Sequence, residues 1–167
     1  MNLYLLRHGL AVERGTRGFK NDSLRPLTPK GKRRLWHIAA AMEEMELNFD
    51  TILSSPFLRA KQTAEIVAGA LELEPKLAYT ESLTPNGNPK TLIEVLQRLK
   101  PVRKNVLLVG HEPYLSRLAA LLVAGNTNLA LDFKKGGLCK LEIETLRYAR
   151  CATLAWLLTP RQMLLME

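Results

Sequence analysis

Leu3-Tyr4-Leu5-Leu6-Arg7-His8-Gly9 opens the fold. Four apolar residues are followed by a cation, an imidazole and a glycine. A short apolar run closed by a breaker predicts a strand over residues 3–6. The residues before it carry no basic stretch, and the run is too short for a secretion signal. It therefore reads as the first strand of the domain. Outward from it, the same grammar repeats. Strand-like runs at 50–53, 76–79 and 105–109 alternate with helical patterns, and residues 138–145 and 152–158 read as closing strands. Thr28-Pro29 predicts a helix start, with threonine as cap and proline in the first turn. Its apolar stripe is Leu35, Ile38, Ala39 and Met42. Ser54-Ser55-Pro56 repeats the cap-plus-proline signal ahead of a helix with Ala60, Thr63, Ala64, Val67, Ala70 and Leu71 on one face. Residues 91–99 predict a further helix, and Leu115, Leu118, Ala119 and Leu122 stripe another. Residues 10–27 are polar and basic and read as a loop.

Strands alternating with helices predict an α/β fold around a mostly parallel sheet. In such folds ligands collect beyond the carboxyl ends of the strands. The chain has 167 residues, 47% apolar and 24% charged. That length favours one compact core, and we expect a single domain over residues 1–167. No apolar run approaches the roughly 20 residues of a membrane span. Two cysteines, Cys139 and Cys151, form no close motif and fit a reducing, cytoplasmic setting.

The net charge of +8 is unevenly placed. Residues 1–37 carry nine Lys or Arg against Glu13 and Asp22, a local balance of +7. The remainder carries 15 basic and 14 acidic residues. A positive field over the first loop attracts anions: phosphate esters, an acidic protein surface or nucleic acid. Arg17, Lys20 and Arg25 are candidates for the mouth of a site facing an acidic partner. No basic run is interleaved with aromatics, which argues against nucleic acid.

The chain has three histidines, His8, His37 and His111. His8 and His111 each sit just past a predicted strand and beside a glycine, Gly9 or Gly110. Glycine there permits a sharp turn and close approach of a ligand. His37 lies beside the helix stripe and reads as a surface residue. Arg59 falls in the first turn of the helix after Ser54-Ser55-Pro56. A forked guanidinium matches phosphate oxygens. Arg7, His8, Arg59 and His111 thus converge on one anion-sized site. Phosphoryl transfer needs positioning and cationic donors. A neutral imidazole can attack phosphorus and form a phosphohistidine, which water then hydrolyses. Ser55 is first a helix cap and second a phosphate contact. Glu112 is read as a cap for the helix after it. Two histidines without a third ligand at suitable spacing leave no metal site.

Leu6-Arg7-His8-Gly9, residues 54–64 (Ser-Ser-Pro-Phe-Leu-Arg-Ala-Lys-Gln-Thr-Ala) and Gly110-His111-Glu112 resemble the three signature blocks of the histidine phosphatase superfamily. Arg25-Pro26-Leu27-Thr28 and Ser82-Leu83-Thr84-Pro85-Asn86-Gly87, with the short chain, resemble its SixA-type phosphohistidine phosphatase group. The resemblance runs from residue 3 to about 123. It implies a three-layer α/β sandwich around a mixed, mainly parallel sheet, of the phosphoglycerate mutase-like kind. It implies His8 as nucleophile, Arg7 and Arg59 on phosphate oxygens, and His111 as second pocket histidine. It implies no cofactor and no metal. Larger relatives carry a glutamate general acid, and Glu81 lies near the corresponding loop with different spacing to Gly87. A phosphoramidate leaving group depends less on such an acid. The expected substrate is phosphohistidine on a protein, of the histidine phosphotransfer type. The alternatives are a small phosphate ester and, less favoured, non-catalytic binding of phosphate or nucleic acid. No nucleic acid and no membrane is expected as a partner.

Overall fold

A computed structural model describes residues 1–166. Six strands form one sheet: β1 (Asn2–Arg7), β2 (Thr51–Ser54), β3 (Leu77–Tyr79), β4 (Asn105–Gly110), β5 (Leu138–Ile143) and β6 (Ala152–Leu158). Their spatial order is β3-β2-β4-β1-β5-β6. The first four in that order run parallel, and β5 and β6 add an antiparallel edge. The expected mixed, mainly parallel sheet is what forms.

The pleat divides the core. On β1, Tyr4 and Leu6 face one layer, and Leu3 and Leu5 face the other. The central β4 splits the same way, with Leu107 and Val109 opposite Val106 and Leu108. Alternate side chains of a strand point to opposite faces, so a run apolar at every position is buried on both. The Tyr4 face is covered by α1 (Pro29–Glu44) and α2 (Leu58–Ala70), and the Leu3 face by α3 (Pro89–Arg98) and α4 (Tyr114–Ala124).

Local signals account for most helix ends. Thr28 caps α1 by accepting from the Gly31 amide at 3.0 Å, with Pro29 in the first turn. Asn88 caps α3, which begins at Pro89, two residues before the expected start. Gly125 ends α4 at φ 78°. The stripe residues Leu35, Ile38, Ala39 and Met42 are all buried.

Three features differ from the sequence reading. The helix after Ser54-Ser55-Pro56 starts only at Leu58 and has no side-chain cap. Ser55 Oγ instead accepts from the Phe57 amide at 3.2 Å, which folds a tight turn ahead of the helix. The loop over 10–27 contains a 3-10 turn, Asp22–Leu24, and an Ala11–Leu27 bridge. A short fifth helix, α5 (Pro160–Met163), follows β6 with a Thr159–Gln162 capping box. Four residues are too few to show helical periodicity, so only the capping pattern could have revealed it.

Candidate active site

The sheet register brings the distant blocks together. Arg7 pairs with Gly110 across β1 and β4, and Ser54 pairs with Val109 across β2 and β4. The chain continues these pairings past the strand ends: the His8 amide donates to Gly110 O at 3.0 Å, and the Ser55 amide donates to Val109 O at 3.0 Å. His8, Ser55 and His111 therefore leave three parallel strands at the same end of the sheet.

His8 is 6% exposed. Its Nδ1–H donates to Gly9 O at 2.8 Å, and its Nε2 accepts from Arg59 Nε at 3.2 Å. Both contacts specify the neutral tautomer with the lone pair on Nε2. Burial holds its pKa well below 6.5, and His111, Arg59 and Arg7 lower it further against the Gly9 hydrogen bond. Gly9 itself packs against α1. A Cβ there would lie 2.8 Å from Leu35 Cδ1, so the glycine serves the close approach of a helix rather than a sharp turn.

His111 lies beside His8, with ring centroids 5.2 Å apart. Its Nε2 is 2.8 Å from Ser55 Oγ, and the Phe57 ring meets it edge-on at 5.4 Å. Its Nδ1 is buried without a partner. Burial, helped by the Arg59 charge, lowers its pKa to about 3.

Arg59 enters from the first turn of α2. Besides His8, it donates through Nη1 to Asp22 O at 2.8 Å and through Nη2 to Asp22 Oδ2 at 3.0 Å. Asp22 also accepts from Arg25, whose Nη2 lies 2.8 Å from Oδ1. Partial burial raises the Asp22 carboxyl, but the Arg25 hydrogen bond and the Arg59 and Arg25 charges outweigh it and hold the group below its ordinary value. Arg7 enters from β1 and donates through Nη1 to Phe133 O at 2.6 Å. Burial lowers both guanidinium groups from their ordinary value.

Arg7, His8, Arg59, His111 and Ser55 thus form one cluster. Glu81 has no hydrogen bond or ion pair to these residues. It is exposed and lines a surface cavity of about 410 Å³ with Leu24, Phe57 and Lys61. Glu112 accepts from the Ser116 amide at 2.9 Å and serves the first turn of α4. Arg25 is committed to Asp22, while Arg17, Lys20 and His37 are exposed. Among the described residues, no three His, Cys, Asp or Glu stand together as metal ligands. No helix among the described residues is long and apolar enough to cross a membrane.

Two residues escaped the sequence reading. Asp22 was visible only as one of two acids in a basic stretch, and that isolation was its signal. Thr63 read as part of the apolar face of α2. In fact its Oγ1 accepts from the Gly9 amide at 3.1 Å and donates to Arg59 O at 2.7 Å, joining the strand end to the helix. A buried threonine in a helix face had no feature to distinguish it from an apolar neighbour.

Comparison with known proteins gives a consistent set of relatives. The model of the histidine phosphatase superfamily (branch 1) matches residues 3–83. An uncharacterised Picosynechococcus sp. protein is 39% identical over 139 residues, covering 83% of this chain and 82% of that one. The phosphohistidine phosphatase SixA of Escherichia coli K12 is 33% identical over 128 residues, covering 76% and 77%. A solved structure of the protein histidine phosphatase SixA complexed with tungstate superposes with a TM-score of 0.81 at 30% identity, covering 96% of this chain and 98% of that one.

Proposed function

Since the chain belongs to the histidine phosphatase superfamily, in its SixA-type group, we propose that it hydrolyses phosphohistidine on a protein through a covalent intermediate on His8. The observation that carries this reading is the protonation state of His8. Nδ1–H is committed to Gly9 O, and the pKa lies well below 6.5. At neutral pH the nucleophilic lone pair is therefore present on Nε2.

In the ligand-free geometry that lone pair accepts from Arg59 Nε. An arriving phosphoryl group takes the place of this contact. Its oxygens then accept from Arg59 and Arg7, whose forked donors suit the spreading negative charge. Nε2 attacks phosphorus in line. The N–P bond forms as the bond to the leaving nitrogen breaks. The electron pair departs onto the leaving nitrogen, and because the substrate ring enters protonated at its other nitrogen it leaves as neutral imidazole, while phosphorylated His8 keeps its proton on Nδ1. Water then attacks the phosphohistidine, releasing inorganic phosphate and restoring neutral His8. His111 flanks the reacting group, with Ser55 holding its ring.

Protonation of the leaving ring on nitrogen reduces the need for an enzymic acid such as Glu81. Residues 1–167 act as one catalytic domain in this reading. The two free thiols, Cys139 and Cys151, accord with a cytoplasmic location.

The test is to trap the intermediate. The protein is mixed with a radiolabelled phosphohistidine peptide, quenched in alkali, and digested. Alkali-stable, acid-labile label on the peptide containing His8 is expected, with none in His8→Ala. An enzyme that turns over while leaving no such label would exclude the covalent route. Parallel turnover of sugar and nucleotide phosphates compares substrate classes, and rapid hydrolysis of only those esters would overturn the protein-substrate assignment.

A further inference from the structure

Beside the nucleophile lies a second cavity, of about 560 Å³, which the chemistry above does not use. Arg7 lines it, and so do Arg34, Lys134, Lys135 and Arg161. These five cations come from four separate parts of the chain. Arg34 is on α1, the lysines lie in the loop before β5, and Arg161 is on α5. Among the described residues, no carboxylate lines the cavity. The nearest ion pair recorded there joins Lys134 Nζ to Asp132 at 2.7 Å, with both side chains largely exposed. Asp132 offsets one of the five charges, and the remaining excess of cations around one concavity is self-repelling, which an anion relieves.

The loop that carries the lysines is fixed to the catalytic strand. The Gly136 amide donates to Arg7 O at 3.0 Å and to His8 O at 3.1 Å, and the Gly137 amide donates to Lys134 O at 2.8 Å. Arg7 Nη1 holds Phe133 O, the residue before Lys134. Its Nε is buried with no partner. Arg7 is thus a wall shared by the cavity and the phosphoryl site.

We propose that this cavity is a docking subsite for an acidic segment flanking the phosphorylated residue of a protein substrate, with Arg34, Lys134, Lys135 and Arg161 selecting it. The assignment rests on the phosphohistidine reading for its substrate, and on charge complementarity for its occupant. Several carboxylates on one short segment match several separately anchored cations. The exposed lysines reach outward, as contact with another protein surface requires.

A fluorescent peptide with four Glu around a histidine, and its Gln counterpart, test this by anisotropy. The intact protein is compared with the K134Q/K135Q/R161Q triple variant. A second triple variant, R98Q/K100Q/K104Q, loses the same charge near the amino end of β4, away from the site. The Glu peptide is expected to bind the intact protein and the second variant, and to bind the first about tenfold more weakly. With the phosphorylated peptides, KM for the Glu form rises by a similar factor in the first variant, kcat holds, and the Gln form is unaffected. Equal loss in both triple variants would reduce the effect to net charge and overturn the subsite. So would displacement of the Glu peptide by fructose 1,6-bisphosphate, or by an oligonucleotide, at lower concentration than by unlabelled Glu peptide. Binding that follows the expected pattern while neither phosphopeptide is turned over would support the subsite and overturn only the phosphohistidine assignment.

Discussion

Arg59 and Arg7 flank the same imidazole and are held in opposite ways. Arg59 is 3% exposed, and three of its nitrogens are bonded: one to the nucleophile and two to Asp22. Arg7 has one bonded nitrogen, on a backbone carbonyl, and a buried Nε with no partner. The carboxylates that sustain its charge, Glu112 and Asp132, act on it without direct contact. One wall of the site is therefore built around a carboxylate and closed. The other is built on a loop and opens onto further cations. A buried guanidinium requires a counter-charge, and Asp22 meets that requirement while orienting the fork. The open wall keeps donor capacity for a ligand.

The largest expected effect breaks each wall outright. Arg59→Ala and Arg7→Ala should each lower kcat by about 10²–10³-fold, since each removes a donor to the transferring group. Arg59→Ala also removes the donor that contacts His8 Nε2 directly, so its loss should be the greater. Steady-state kinetics on the phosphohistidine peptide would reveal the order, and equal losses would remove the distinction between the walls.

A smaller effect isolates the carboxylate. Asp22→Ala leaves Arg59 in place but frees its fork. Turnover should fall about tenfold through misplacement of the guanidinium. Asp22→Asn, which retains an acceptor, should recover part of that loss. Full activity in Asp22→Ala would show that α2 alone orients Arg59.

On the Arg7 side, the equivalent perturbation is in the loop. Gly136 has φ 79°, and a Cβ there would lie 3.0 Å from Ile38 Cδ1. Gly136→Ala should cost about 1–2 kcal/mol from left-handed strain, measured by urea unfolding. It should also raise KM by moving the lysines and lower kcat by moving Phe133, whose carbonyl holds Arg7.

The smallest effect is electrostatic and distinguishes the two histidines from surface groups. Burial brings the folded His111 pKa to about 3, against 6.5 in the unfolded chain, and His8 is also lowered. Below pH 6.5 the unfolded chain binds protons at these sites and the folded chain does not. Stability is therefore present above that pH and lost as pH falls through it towards about 3. Urea midpoints should fall between about pH 6.5 and 5, before most carboxylates titrate. His111→Gln should flatten that slope. Arg59→Gln, which removes the second cause of the depression, should raise the His111 pKa in an NMR titration.

Much of this molecule could be read from residue order. Apolar runs at β1 and β4 reported strands buried on both faces, because such strands alternate between two apolar layers. Thr28-Pro29 reported a helix start, because its cap and its ring act within one turn. His8 and His111 were legible as a pair, because each follows a strand and parallel strands end on one side of a sheet. These are local signals joined by one topological rule. What remained hidden depends on contacts made across the fold. Nothing in the segment around Asp22 indicates that it meets an arginine 37 residues later. Thr63 resembles any residue on a buried helix face until Gly9 is placed against it. Ser55 looked like a cap, but its hydroxyl serves a turn and a histidine 56 residues away. Arg34, Lys134, Lys135 and Arg161 are ordinary surface charges along the chain, and only the folded structure draws them around one cavity beside Arg7. Residue order thus determined the sheet and the nucleophile through short-range propensity and strand polarity. The tertiary structure alone decided which charges face that nucleophile, because electrostatic partners are chosen by distance in space.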